Sequence, residues 1–154
     1  MPENAVLIDK APGGPYESEE EAASEVLPGH VMELVWNSSA GQWEVQPNEA
    51  ALPGLRVAKG GFQEGLDQVY ADGDGVRFFK LQSGEVALVY VYGEEDGGDA
   101  AVSEGDVLYK TALADHTAAP AGVLDVNATD GVAVAKAKEA VVSGALALIK
   151  VEKL

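Results

Sequence analysis

The sequence contains no cysteine among its 154 residues, and only 6% of its residues are aromatic. The missing cysteines exclude disulfide bonds, thiolate nucleophiles and cysteine-ligated zinc sites. No run approaches 18 uninterrupted apolar residues, so we expect no transmembrane helix and no membrane partner. The first residues lack the basic and apolar regions of a secretory signal, so none is expected.

Positive charge is also scarce. The chain has 2 arginines and 8 lysines against 26 acidic residues, which gives a formal net charge of −16. Phosphate groups would repel such a chain, so nucleic acid is not expected as a partner. Hydrophobic residues still make up 47% of the sequence, which is enough for a folded core.

Small apolar residues combined with many carboxylates are typical of a protein that folds in concentrated salt. At 1 M salt the Debye length is only about 3 Å, so the repulsion between like charges is screened. We therefore expect a halophilic source, and an ordinary acidic mesophilic protein is the alternative.

From residue 29 onward, short apolar segments alternate with turns rich in Gly, Asn and Ser. This spacing predicts an all-β fold, a small β-barrel or sandwich of short antiparallel strands. The clearest hairpin signal joins residues 77–81 to residues 85–90 across Gln82-Ser83-Gly84. The predicted strands cover residues 30–36, 42–45, 55–58, 75–81, 86–92, 106–110, 122–126, 132–141 and 145–151.

The segment 131–142 carries two conflicting signals. Its residues 134–140 are good helix formers. Valine and lysine nevertheless alternate with alanine at a period of two, which is the spacing of a strand. We predict a strand there, as the first half of a terminal hairpin.

Residues 1–28 are predicted to form an extended N-terminal arm ahead of a domain that covers residues 29–154. Within the arm, Val6, Leu7 and Ile8 belong to a short apolar stretch that could add a strand to the sheet of a neighbouring molecule. The acidic run that follows is expected to form a helical turn, by the capping-box spacing of residues 18 and 21, or a solvated loop. The arm is expected to contact something other than its own core, with a frayed terminus as the alternative.

Trp36 and Trp43 flank a predicted turn, so they are expected to pair across two strands. Packing in the core is the expected role of this pair, and anchoring an interface is the alternative.

No arrangement of residues points to catalysis. His30 and His116 are the only histidines, and no Gly-x-Ser-x-Gly, Walker or His-Glu-x-x-His pattern occurs. We predict a structural role for His30, a surface position for His116, and no enzymatic activity.

Two loops gather hard oxygen ligands of the kind that Ca²⁺ and Mg²⁺ prefer. Asp72 and Asp74 belong to the first loop, and Asp96 and Asp99 to the second. Neither loop matches a Ca²⁺-binding EF-hand, so no specific metal or cofactor is predicted. Loosely bound Mg²⁺, Ca²⁺, Na⁺ or K⁺ is the expectation.

Four short segments carry a resemblance to a known family. They are Gly105-Asp106-Val107-Leu108, Ala118-Ala119-Pro120, Ala121-Gly122-Val123-Leu124-Asp125 and Gly131-Val132-Ala133-Val134. Over residues 70–154 the chain resembles the capsid decoration, or cement, proteins of tailed viruses. The first 70 residues have no counterpart in that family.

The resemblance implies a non-enzymatic protein located on the capsid surface of a virion. Such a protein bridges subunits of the major capsid protein, often as a trimer, and it is assembled in the host cytoplasm. The salt-adapted composition suggests a tailed virus of a halophilic archaeon. The residues expected to bind the partner are Val6, Leu7, Ile8, Trp36 and Trp43.

A stand-alone β-barrel that binds a carbohydrate or another small ligand is the alternative function. Its expected binding surface consists of Tyr70, Tyr90, Tyr92 and Tyr109, together with nearby carboxylates.

Overall fold

The computed structural model describes residues 6–9, 16–60 and 65–154. Short β-strands dominate these residues, and a three-residue 3-10 turn at Leu113–Asp115 interrupts them. The predicted all-β class is therefore confirmed. The strands are β1 (Leu7–Asp9), β2 (Tyr16–Ala22), β3 (Val31–Asn37), β4 (Gln42–Pro47), β5 (Arg56–Ala58), β6 (Gly75–Lys80), β7 (Val86–Tyr92), β8 (Glu94–Glu95), β9 (Gly98–Asp99), β10 (Val107–Lys110), β11 (Val132–Ala137) and β12 (Leu146–Lys153).

Five of the strands form a closed barrel in the order β2-β4-β3-β5-β6. Neighbours in the barrel are antiparallel except β2 and β4, which run parallel and share only two register pairs. Alternate residues of each strand point inward, as the pleat of a β-strand requires. The interior is filled by Ala22, Val26, Met32, Val45, Ala58, Tyr70, Val76 and Phe78.

A second sheet has the order β1-β7-β12-β11-β10. The β7–β12 pair is its longest ladder, and it runs from Leu146↔Tyr92 to Glu152↔Val86. Residues 124 and 125 connect β7 to the edge strand β10, because Leu124 exchanges backbone hydrogen bonds with β7 and Asp125 with β10. Val89, Val91 and Ile149 lie in its core.

The barrel and the second sheet share one hydrophobic core. Val31, Val57 and Phe79 point out of the barrel and belong to the same buried cluster as Val89 and Val91. These side chains are at most 1% exposed, so the contact between the two parts excludes water.

Gly29 lies where the two parts meet. Its carbonyl accepts a hydrogen bond from the Tyr90 N–H at 3.0 Å, and its φ of 91° is in the left-handed region. A Cβ atom at this position would come within 2.5 Å of the Leu148 side chain. Glycine is required here, because it adopts this φ without strain and has no Cβ atom to collide with Leu148.

The predicted hairpin between residues 77–81 and 85–90 is wrong. β6 pairs with β2 and β5 in the barrel, whereas β7 pairs with β1 and β12 in the second sheet. The turn itself is present, since the Glu85 N–H donates to the Gln82 carbonyl at 3.0 Å and the buried Glu85 carboxylate accepts from the Gln82 N–H. This turn directs the chain from one sheet into the other.

Part of the predicted arm belongs to the fold. β2 pairs with β6 over six residues, so residues 16–22 form a barrel strand and neither a helical turn nor a solvated loop. The preference of residues 18 and 21 for a helix cap is outweighed by the pairing of β2 with β6. β1 pairs with β7, and the Val6 side chain is fully buried in the shared core.

The terminal segment is a strand, as predicted. β11 and β12 are antiparallel, with Ala137 opposite Val151. β11 ends at residue 137, earlier than expected, and Val141 instead forms an isolated bridge with Val102. The described residues include no helix with the length and hydropathy that crossing a bilayer requires.

Candidate functional site

One end of the barrel opens into a cleft of about 330 Å³. Inward-pointing residues of β2, β3, β5 and β6 line the cleft, which lies next to the apolar side chains that fill the barrel. Leu34 and Phe78 supply the apolar part of the lining. The polar part consists of Ser18, Glu20, Arg56 and Lys80.

Two cations face each other in this cleft. Arg56 on β5 and Lys80 on β6 are direct cross-strand partners. Like charges in this relation destabilise a sheet. In the part of the chain that the structure describes, no carboxylate oxygen lies within 4 Å of either cationic group. Lys59, which directly follows β5, instead contacts Glu17 at 2.8 Å.

A third cation adds to the positive charge near Arg56. The Lys110 ammonium group donates a hydrogen bond to the Gly54 carbonyl at 3.1 Å. Burial, and after it the charge of Arg56, lowers the pKa of Lys110 to about 8, against an opposing effect of Glu33. The region around β5 therefore concentrates cations in a chain that has few of them.

Trp36 and Trp43 form an edge-to-face pair at the same end of the barrel. They are register partners on β3 and β4, and their ring centroids are 5.4 Å apart at an angle of 66°. They lie on the same faces of their strands as Leu34 and Val45, so they continue the barrel's apolar face past the cleft. The predicted cross-strand pair is confirmed.

The expected core position of this pair is wrong, because Trp36 is 55% exposed and Trp43 is 51% exposed. The reason is the length of the β3–β4 hairpin. On β3, only Val31 and Met32 pair with β5, so the far part of the hairpin extends beyond β5.

The opposite face of the hairpin is polar. The Asn37 side-chain amide donates to the Glu44 carboxylate at 2.9 Å, and the Gln46 amide donates to Glu33 at 2.8 Å. These bonds hold the two strands together behind the tryptophans. The hairpin therefore presents its aromatic pair on a rigid support.

His116 lies in a buried polar cluster and not at the predicted surface position. Its Nε2 atom is 3.4 Å from Asp125 Oδ2, and the two side chains are 3% and 1% exposed. Its Nδ1 atom lies 3.1 Å from the Ala119 carbonyl, which can only accept, so Nδ1 donates. Nε2 faces the Asp125 carboxylate and has no other partner among the described residues, so its surroundings favour the charged form of the ring.

The pKa of His116 is raised. Burial lowers it, but the hydrogen bond and charge of Asp125, the Ala119 carbonyl and the charge of Glu94 together outweigh burial. The Thr111 hydroxyl donates to the other Asp125 oxygen at 2.8 Å, so it does not face the imidazole as a nucleophile would. The cluster therefore ties the 113–120 loop to residue 125. Sequence reasoning missed it because Asp125 is nine positions away and no local pattern links the two residues.

His30 has structural contacts, in agreement with its expected role. Its Nδ1 atom accepts a hydrogen bond from the Leu27 N–H at 3.1 Å, and its ring lies 5.3 Å from that of Tyr90. Burial lowers the pKa of His30 to about 4, so the ring is neutral near pH 7.

The predicted cation ligands lie in two separate turns. Asp74 accepts a hydrogen bond from the Ala71 N–H at 2.8 Å in the turn before β6, which also contains Asp72. Asp96 and Asp99 belong to the β8–β9 hairpin. Among residues 6–9, 16–60 and 65–154, no three His, Asp or Glu side chains are arranged to hold a metal ion.

The predicted tyrosine surface is not assembled. Tyr70 is buried inside the barrel, where its hydroxyl donates to the Lys59 carbonyl at 2.7 Å. Tyr90 and Tyr92 are half-buried on β7, and Tyr109 is on β10 of the second sheet.

The other expected partner-binding residues lie at the N-terminal end. Val6 is buried in the chain's own core and is not available to a partner in this structure. Leu7 and Ile8 belong to β1, whose backbone pairs with β7. Of the residues expected to bind a partner, the two tryptophans are shown to be exposed.

No protein-family model matches the chain, and no curated protein is significantly similar to it. A function must therefore be argued from the cleft and the tryptophan pair. The residues of the cleft were not singled out from the sequence. The period-two order of Ser18, Glu20 and Ala22 inside the acidic run was the signal that could have shown a strand with one face in the barrel.

Proposed function

We propose that this chain is a non-enzymatic structural protein of a virion, which binds the outer surface of a tailed-virus capsid. In this role it bridges and stabilises subunits of the major capsid protein, as a homo-oligomer such as a trimer. The resemblance over residues 70–154 suggests this partner, and the composition suggests a virus of a halophilic archaeon.

The observation that carries the proposal is the exposure of Trp36 and Trp43. Half of each indole is in contact with water, although burying a tryptophan is strongly favourable. Tryptophan is enriched among the residues that dominate the binding energy of protein interfaces. A rigid hairpin that presents two of them fits a docking role.

The shared core supports a bridging role. Since the barrel and the second sheet pack through Val31, Val57 and Phe79, they move as one body. A rigid body that contacts two capsid subunits gains from effective concentration, because the second contact forms without a further loss of translational freedom.

Carbohydrate binding is the second candidate function. It is favoured by the position of the aromatic pair beside a cleft of about 330 Å³, which is within the size range of small-ligand sites. The tyrosines once expected to form that surface do not support it, because Tyr70 is buried.

Co-sedimentation with purified capsids tests the proposal. We expect the wild-type chain to sediment with capsids and to raise their melting temperature, and the double variant Trp36→Ser/Trp43→Ser to bind at least tenfold more weakly. The control is Leu52→Ser/Val142→Ser, which removes two side chains that are 58% and 75% exposed elsewhere on the surface.

Three results would contradict parts of this proposal. A wild-type chain that stays in the supernatant argues against capsid binding. Equal loss in both double variants argues against the tryptophans as the specific anchor. A chain that ignores capsids but binds a neutral glycan, in a manner that the tryptophan substitutions abolish, supports the carbohydrate alternative.

A further inference from the structure

The cations of this chain differ in whether they have partners. Lys59 contacts Glu17, Lys138 contacts Glu152 at 3.3 Å, and Lys110 donates to a backbone carbonyl. Arg56 and Lys80 stand opposite each other in the cleft with no ion-pair partner among the residues that the structure describes. Arg56 is half-buried and Lys80 is exposed, so the two cations repel each other and are open to an anionic ligand that would relieve the repulsion.

The other polar residues of the cleft restrict the chemical class of the ligand. Glu20 and Ser18 line the same cleft. The Glu20 carboxylate repels every anion, the carboxylate of a peptide included, so inorganic phosphate or sulfate gains nothing from it. It would accept hydrogen bonds from a ligand that carries donors beside its negative group. A peptide segment with an Asp or Glu side chain has this combination, because its backbone N–H groups lie next to its carboxylate.

The tryptophan pair continues the cleft along the β3–β4 hairpin. Trp36 and Trp43 continue the faces of Leu34 and Val45, so a chain that leaves the cleft along the hairpin crosses the two exposed indoles. The cleft itself, at about 330 Å³, is large enough for an acidic side chain and its adjacent backbone. Together they fit an extended segment that is anchored by one carboxylate.

We propose that the open end of the barrel binds an acidic, extended segment of a partner protein, with a carboxylate of that segment paired to Arg56 and Lys80. This inference rests on the proposed function, since it assumes that the chain docks on another protein. It explains how a chain of charge −16 could bind an acidic surface, because the contact would be made at a local concentration of positive charge.

The first test uses the free protein and a blocked acidic tripeptide, acetyl-Asp-Glu-Asp-amide, in an NMR titration at constant ionic strength. We expect shift changes at the cleft and at the indole N–H groups, and none with the amide analogue acetyl-Asn-Gln-Asn-amide. The variant Arg56→Gln/Lys80→Gln should lose the response. The control Lys136→Gln/Lys150→Gln removes the same charge from exposed positions on the second sheet and should keep it.

The single variants Arg56→Gln and Lys80→Gln test the alternative that these two cations stabilise the fold and bind no ligand. At 1 M salt, where the net charge of −16 is screened, removing one of two unpaired like charges should leave the urea midpoint no lower than in the single control Lys136→Gln. A clear loss of stability in Arg56→Gln or Lys80→Gln beyond that of Lys136→Gln would mean that they are structural, and it would overturn the inference.

Capsid binding separates this inference from the proposed function. One outcome is that, at low salt, capsids bind Lys136→Gln/Lys150→Gln as tightly as the wild type and bind Arg56→Gln/Lys80→Gln at least tenfold more weakly. In that case the proposed function and the cleft assignment both stand. If the wild type ignores capsids but the tripeptide still binds the cleft, the proposed function fails and the cleft assignment survives. If the tripeptide shifts nothing in the cleft, or if glucuronate binds there and the peptide does not, the inference is wrong.

Discussion

At the scale of single residues, the two histidines have opposite electrostatic settings. His116 is held between the Ala119 carbonyl and the Asp125 carboxylate, which favours its charged form. His30 is buried against Tyr90 and accepts a backbone hydrogen bond, which favours its neutral form. Their contributions to stability therefore depend on pH in opposite directions.

For His116, stability should fall as the pH rises. Its pKa in the folded chain is raised above the ordinary 6.5, so its contribution is complete below pH 6.5 and is lost as the pH rises through the raised pKa. Urea denaturation at several pH values should show the wild type losing its advantage over His116→Gln as the pH increases. A constant difference between the two would show that folding does not raise the pKa of His116.

For His30, the dependence is reversed. Its pKa falls from 6.5 to about 4 on folding, so its contribution is present above pH 6.5 and is lost as the pH falls toward 4. At most about 3.5 kcal/mol is involved, since each pKa unit corresponds to about 1.4 kcal/mol. The variant His30→Gln keeps a side-chain acceptor but does not titrate, so its free energy of unfolding should vary less than that of the wild type between pH 6.5 and 4.

At the scale of elements, Gly93 marks a crossing of three chain segments. It follows β7, its N–H donates to the Ala145 carbonyl at 3.0 Å, and its carbonyl accepts from the N–H groups of Ala100 and Gly144. A Cβ atom there would come within 2.5 Å of the Val142 carbonyl oxygen and 2.7 Å of the Ala100 carbonyl oxygen. These are backbone atoms that cannot move aside without breaking the crossing.

We expect Gly93→Ala to lower the free energy of unfolding by roughly 2–4 kcal/mol. Gly98→Ala is the matched control, because a Cβ atom at Gly98 on β9 would meet nothing within 4 Å. The control should change stability by less than about 0.5 kcal/mol. Similar urea midpoints for Gly93→Ala and Gly98→Ala would show that the backbone around Gly93 shifts at little cost to make room for a Cβ atom.

The elements also show what a sequence can predict. Strands such as β3, β4 and β7 follow from alternation and turn residues, and the facing positions of Trp36 and Trp43 follow from the turn between them. Which strands become neighbours is different, because it depends on contacts far apart in sequence. The turn at Gln82-Ser83-Gly84 was identified, but local chemistry does not reveal that it separates two sheets.

The cleft was hidden for the same reason. Arg56 and Lys80 meet only because β5 and β6 pair, and 23 positions of sequence separate them. The tryptophans' exposure depends on how far one hairpin extends beyond β5. Both features come from strand lengths and register across the barrel, which composition and periodicity do not determine.

At the scale of the whole molecule, net charge should govern stability in salt. A charge of −16 opposes compaction at low ionic strength, and the Debye length falls from about 10 Å at 0.1 M to about 3 Å at 1 M. We expect the urea midpoint to rise between 0.1 and 2 M KCl.

Charge variants show whether this rise is electrostatic. Glu25, Glu95 and Glu104 are exposed, and none of their side chains makes a hydrogen bond within the described ranges. The triple Glu→Gln variant should give a flatter dependence of the midpoint on salt, and Lys136→Gln/Lys150→Gln a steeper one. Parallel curves for all three proteins would mean that salt acts through the hydrophobic core instead.

The packing of Val31, Val57 and Phe79 against the second sheet has a mechanical consequence. A load applied at the tryptophan hairpin is passed through tightly packed side chains to β7 and β12, and the two parts should rupture in a single event under an optical trap.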